Sequence, residues 1–222
     1  MSIVEELNRD FIRACKQSAA TSQSGSSPVF PRGERGSLEP QELDDLQELL
    51  SSHFPDARGQ GFSQLETMAY SKRIEDCPQL LEVLGRTIAN DTIEVKISAI
   101  RVFFPILTYA DTEAKQKLVR RYINGFLRLL DVSVPTEIRH EAIRIAQLIP
   151  DPGVVSRLIL ILHNELEEDY QRQSPHPVFR SLKAMEGMRK EILSSLRRQA
   201  ASTLDSAARQ RLLKCMDYIQ RG

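Results

Sequence analysis

Chemistry in this chain would have to be assembled from four histidines, three cysteines and thirty acidic side chains, and their spacing assembles none. His53, His140, His163 and His176 stand far apart and make no HExxH, no HxH and no cysteine–histidine pair at metal-ligand spacing. Cys15, Cys77 and Cys215 form no CxxC. They read as small hydrophobes, and their odd number fits a reducing setting. "GERG" (residues 33–36) has neither the phosphate-loop motif nor the strand–helix context that such a loop needs. The acidic run Glu165, Glu167, Glu168 and Asp169 falls at the expected end of a helix. There the helix dipole disfavours it, and it lacks the ligand spacing of a calcium loop. The expectation is no enzyme, no cofactor and no metal.

What remains for function is binding, and charge is the first guide. The chain has 222 residues, with 30 basic against 30 acidic side chains. That balance hides an asymmetry. Residues 1–51 carry 9 acidic and 5 basic side chains, whereas residues 171–222 carry 4 acidic and 11 basic. Arg189, Lys190, Arg197, Arg198, Arg209, Arg211 and Lys214 fall on two expected helices. They are candidates for nucleic-acid or other anionic contact, because clustered Lys and Arg neutralise phosphates. Their ordinary role is a solvated helix face. Only Tyr218 interleaves with them, so base stacking gains little support. No apolar run approaches a membrane span, and the acidic start "MSIVEELNRDF" has no signal-peptide core. The expected setting is intracellular, cytoplasmic or nuclear.

The elements that must carry these residues are helices. Ile3, Leu7 and Phe11 recur at helical spacing, with Val4, Ile12 and Cys15 beside them, and predict an amphipathic helix over residues 1–16. Residues 17–40 are rich in Ser, Gly and Pro and read as a flexible linker, with Ser27-Pro28 and "PVFPR" as candidate regulatory or docking sites. From Pro40 onward the apolar period is helical throughout. Asp and Pro mark the starts, and no strand-period alternation competes. Even "SRLILILHN", nearly continuous in apolar residues, fits a buried helix better than a strand. Residues 41–222 therefore read as one α-helical domain. Its helix pairs cover about 41–70, 74–108, 112–149 and 151–187, followed by the basic C-terminal helices.

The chain also repeats itself. "EVKISAIRV" (94–102) returns 43 residues later as "EIRHEAIRI" (137–145). A period of about 40–47 residues marks a helical repeat. Val95 aligns with Ile138, Lys96 with Arg139, Ala99 with Ala142 and Ile100 with Ile143. A weaker copy places Ala57, Arg58, Gly61 and Phe62 at the same positions, and a fourth, at "VFRSLKAM", places Phe179, Arg180 and Lys183 there. The small residue lets helices approach closely, and its branched or aromatic neighbours fill the core. The basic residue is placed to pair with an acid of the next repeat.

This pattern, Asp91-x3-Val95-Lys96-x2-Ala99 and Asp131-x6-Ile138-Arg139-x2-Ala142, with Pro78 before "QLLEVL", resembles HEAT and armadillo-type repeats over about residues 40–187. The resemblance implies an all-α fold, a short right-handed α-solenoid of HEAT/ARM-like helix pairs, preceded by the N-terminal helix and linker. Such proteins bind partners along a helix layer. Glu94, Ser98, Arg101, Glu137, His140, Glu141 and Arg144 are then the outward positions of the duplicated helix and the candidate partner-binding residues. Arg101 and Arg144 are equivalent and should stack as a two-rung basic row. The expected function is a non-enzymatic scaffold or adaptor for protein partners. Nucleic-acid binding through the basic helices is the alternative. A homo-oligomeric structural protein, coupled through "GMRKEILSSLRRQ" and the last helix, is a third.

Overall fold

The computed structural model describes residues 35–164 and 176–221. Among these residues it holds ten α-helices and no strand: α1 (Pro40–Leu50), α2 (Pro55–Met68), α3 (Pro78–Asn90), α4 (Ile93–Tyr109), α5 (Thr112–Leu129), α6 (Thr136–Ala146), α7 (Pro152–Asn164), α8 (Pro177–Ala184), α9 (Arg189–Ser202) and α10 (Ser206–Gln220). The fold is all-α. No described helix is long and apolar enough to cross a membrane.

Local chemistry sets the starts. Five helices open on proline, whose fixed φ suits the first turn and whose missing N–H would have no partner there. Others open on an acid. Asp111 accepts a hydrogen bond from the Ala114 N–H at 2.8 Å, and Asp205 accepts one from the Ala207 N–H at 2.9 Å. Asp151 accepts from the N–H groups of Gly153 and Val154 at 2.7 and 3.2 Å at the head of α7. "SRLILILHN" lies within α7, as its polar flanks suggested.

Packing arranges the helices in two rows. The helices α2, α4, α6, α8 and α10 each lie against the next, and α3, α5, α7 and α9 do the same behind them, with α1 on α2. Ala57, Phe62, Val95, Ala99, Ile100, Ile138, Ala142 and Ile143 are all buried, the last six at the equivalent positions of the duplicated nonapeptide. Gly61 shows why the slot between them must be small. A Cβ there would lie 3.0 Å from Leu49 Cβ and 3.0 Å from a Leu50 methyl. The duplication is thus a packing code that keeps a small residue and its apolar neighbours buried in α2, α4 and α6.

The fourth copy follows the code in a different register. The slot aligned with Ala142 is filled by buried Ser181, not by Lys183, and Leu182 fills the core beside it. The Ser181 hydroxyl donates to the Ile143 carbonyl at 2.7 Å, so the small residue also carries a hydrogen bond between neighbouring helices. Lys183 points elsewhere and sits 4.8 Å over the Tyr218 ring. In this register the position aligned with Ile138 is Pro177, buried together with Val178, whereas Phe179 is only partly buried.

The linker expectation also changes at its end. Residues 35–40 lie against the helices. Gly36 exchanges backbone hydrogen bonds with Ser71 and Arg73 at 3.0 and 2.9 Å. The Arg35 guanidinium is buried in a two-pronged ion pair with Glu75. It also donates to the carbonyls of Ala69 and Lys72 and covers the Tyr109 ring. Residues 1–34 and the acidic run 165–169 lie outside the described residues.

Of the aligned basic residues, Arg58 of the weaker first copy meets an acid of the next repeat. Arg58, in the first turn of α2, grips Asp91 at the head of α4 through Nε at 2.8 Å and Nη2 at 2.6 Å, and Nη1 donates to the Ser52 carbonyl. The pair is 18% and 12% exposed at its side chains. Arg139, the equivalent residue, instead donates to the carbonyls of Val132 and Val134 and closes its own turn. Asp131 meets Arg157 of the next pair at 3.1 Å. The Arg58 hydrogen bonds hold the Asp91 carboxyl below its ordinary pKa. A lowered carboxylate contributes stability that is present above its unfolded pKa and lost as pH falls through the folded one. Asp91→Asn is therefore expected to cost about 2 kcal/mol at neutral pH. The difference from wild type should close as pH falls below about 4, which urea melts at stepped pH would read.

Candidate partner-binding face

The outward side of the front row carries a charged cluster built from three parallel helices. Glu66 comes from the C-terminal half of α2, Arg101 and Phe104 from the middle of α4, Glu141 from the middle of α6 and Arg144 from its last turn. Helical spacing explains their common face. Arg101 and Arg144 each lie two residues beyond the buried small residue, Ala99 or Ala142, and Phe104 and Glu66 lie five beyond Ala99 and Gly61.

The two arginines do not stack as a plain basic row. Both converge on Glu141. Arg101 donates through Nε and Nη2 to Glu141 Oε1 at 2.9 and 2.6 Å, and Arg144 Nε lies 3.5 Å from Oε2. The shared carboxylate offsets the repulsion between the two cations. Arg144 also lies over the Phe104 ring, 5.0 Å from its centroid, a favourable cation–π contact. Both arginine side chains stay close to half exposed, at 45% and 46%, while Glu141 is 15% exposed.

Glu66 completes the set without an ion pair of its own among the described contacts. Burial pushes its carboxyl above the usual range, against the pull of Arg101 and Arg144. Burial and the neighbouring Glu66 likewise raise the Tyr70 phenol. Tyr70 meets Tyr109 edge-on with centroids 5.9 Å apart, and Tyr109 is the ring that Arg35 covers. The face is therefore a mixed strip of guanidinium, carboxylate and aromatic groups fixed by contacts between adjacent helices.

The remaining candidates are placed as follows. Glu94 and Glu137 are exposed in the first turns of α4 and α6. The Ser98 hydroxyl donates to the Glu94 carbonyl at 3.2 Å, inside its own helix. His140 is half-buried on α6. Of the seven basic tail residues, two are helix caps. Arg189 donates to the Ile219 and Gln220 carbonyls at 2.8 and 3.3 Å, and Arg211 to the Leu162 and His163 carbonyls at 2.9 and 3.1 Å. Cations at helix C-termini satisfy carbonyls that have no partner in the helix. Lys190, Arg197, Arg198, Arg209 and Lys214 are exposed and make no ion pair with a described residue.

Sequence reasoning missed Glu66, Tyr70, Phe104 and Tyr109. Carrying the repeat register five residues past the small position would have found Glu66 and Phe104. Nothing local marks Tyr70 and Tyr109 as neighbours. No group of three His, Cys, Asp or Glu side chains among the described residues is placed to hold a metal ion.

No family model matches the chain, and no curated protein matches its sequence. Solved structures do resemble it. One is the crystal structure of an engineered protein from the Northeast Structural Genomics Consortium, with a TM-score of 0.55 and 19% identity, covering 82% of this chain and 80% of that one. A second engineered protein from the same consortium gives 0.53 and 18%, covering 82% of this chain and 48% of that longer one. At this identity the likeness is one of fold.

Proposed function

We propose that the chain is a short α-solenoid of the HEAT and armadillo type. It acts as a non-enzymatic scaffold that binds a protein partner across the α2–α4–α6 face. The observation that carries this reading is the Arg101–Glu141–Arg144 cluster. Exposed ion pairs contribute only about 0–1 kcal/mol to a fold, so α4 and α6 have little structural need of this one. Charged groups held in place on a surface do serve recognition, since they select complementary partners and speed encounter. Phe104 under Arg144 adds the aromatic and arginine pairing that is enriched at binding surfaces.

The test is photo-crosslinking from a probe at Ser98 in cells, comparing the wild-type chain with the Arg101→Glu, Arg144→Glu double variant. Helical circular dichroism should be unchanged, and the specific crosslinked protein should fall at least tenfold. Equal crosslinking by both chains would reject this face.

The five exposed cations of α9 and α10 favour a second reading, nucleic-acid binding. It predicts a salt-dependent gel shift abolished by Arg197→Glu with Arg198→Glu. No shift at low salt would dismiss it. Self-association through the same helices is the remaining alternative, and sedimentation at two concentrations separates it.

A further inference from the structure

The back row has an opening of its own. Between α3 and α5, above α4, lies an apolar cavity of about 60 Å³ lined by Gly85, Ile88, Phe103, Leu118, Tyr122 and Phe126, among others. Its shape comes from one close approach. A Cβ on Gly85 would lie 2.9 Å from the Tyr122 ring, and the Tyr122 hydroxyl is committed to the Leu81 carbonyl at 2.8 Å. Tyr122 is the one polar side chain among the lining residues, so water entering the space would find almost no partner. An apolar void leaves the atoms around it short of contacts, which an inserted side chain would restore.

We infer that this groove is the seat of the chain's own residues 2–16. Two features fit that occupant. The first is reach. The described chain begins at Arg35, whose guanidinium lies on the Tyr109 ring, and Tyr109 follows by two residues Leu107, which lines the cavity. Eighteen residues separate 16 from 35 and extend up to about 60 Å, ample for a groove one helix away. The second is pattern. Ile3, Leu7 and Phe11 recur at four-residue spacing, the pattern of an apolar stripe that an apolar groove would cover.

The surface is in the back row, apart from the α2–α4–α6 face, so either reading can fail without the other. The test uses the full chain carrying Cys77→Ser, with a nitroxide on Cys15. The buried Cys215 thiol does not take the label. In methyl spectra, the label is expected to broaden Ile88, Leu118, Val119 and Ile123 and to leave Leu196 and Leu212 sharp. Adding Leu7→Glu and Phe11→Glu should remove that broadening. Sharp groove methyls with the label in place would overturn the inference. So would broadening that appears only on unlabelled chains mixed with labelled ones, which would make the occupant a second copy.

Discussion

Replacing Glu75 by alanine is expected to lower stability by about 3–5 kcal/mol in urea melts. The reason is the company Arg35 keeps. Its guanidinium and the Glu75 carboxylate have side chains only 4% and 2% exposed. Without Glu75 the cation keeps two carbonyls, at 3.2 Å each, and the edge of a Tyr109 contact, but no counter-charge. A buried charge without its partner carries its full desolvation penalty. Replacing both members by apolar residues, Arg35→Met with Glu75→Leu, should restore most of the loss, because the pair's attraction barely exceeds what burying it costs. A loss below about 1 kcal/mol for Glu75→Ala, the range of an exposed pair, would mean that residues 35–40 lift away and let Arg35 return to water.

The second large effect is Gly61→Leu, expected to cost about 3 kcal/mol because the added atoms have nowhere to go. The nearest obstacle is Leu49 Cβ, at 3.0 Å from the new Cβ, and this atom moves only if α1 moves. Gly59, two residues earlier in α2, makes the control. A Cβ there meets nothing within 4 Å. Gly59→Ala should therefore stabilise by about 0.5–1 kcal/mol, the helix-propensity difference between the two residues. Opposite signs from two glycines in one helix would separate packing from propensity. Thermal melts of both variants read it directly.

These contrasts show how far the amino-acid order reached. Helix positions were legible because each is set locally, by proline or aspartate at a start and an apolar stripe at 3.6-residue spacing. The burial of Val95, Ala99, Ile138 and Ala142 was legible because duplication exposed the positions that packing holds constant. The register failed at Ser181. There a hydroxyl could take the small slot once it had the Ile143 carbonyl to bond, a condition visible only across helices.

Charge was the least legible part. Arg101, Arg144, Arg189 and Arg211 look alike in sequence, each an arginine on an outward helix position. The fold gives the first two a common carboxylate and the last two the carbonyl ends of other helices. Arg35 sits among serines and glycines, in a stretch whose composition says linker, and is the most deeply paired cation described. The order of residues by itself determined where helices start, which side of each is buried and that the pairs stack alike, because those depend on neighbours within a few positions. The tertiary structure alone decided which acid meets which base. Partners 40 or more residues apart, such as Arg35 with Glu75 or Arg211 with the end of α7, are matched by the offset between packed helices, and no local pattern encodes that offset.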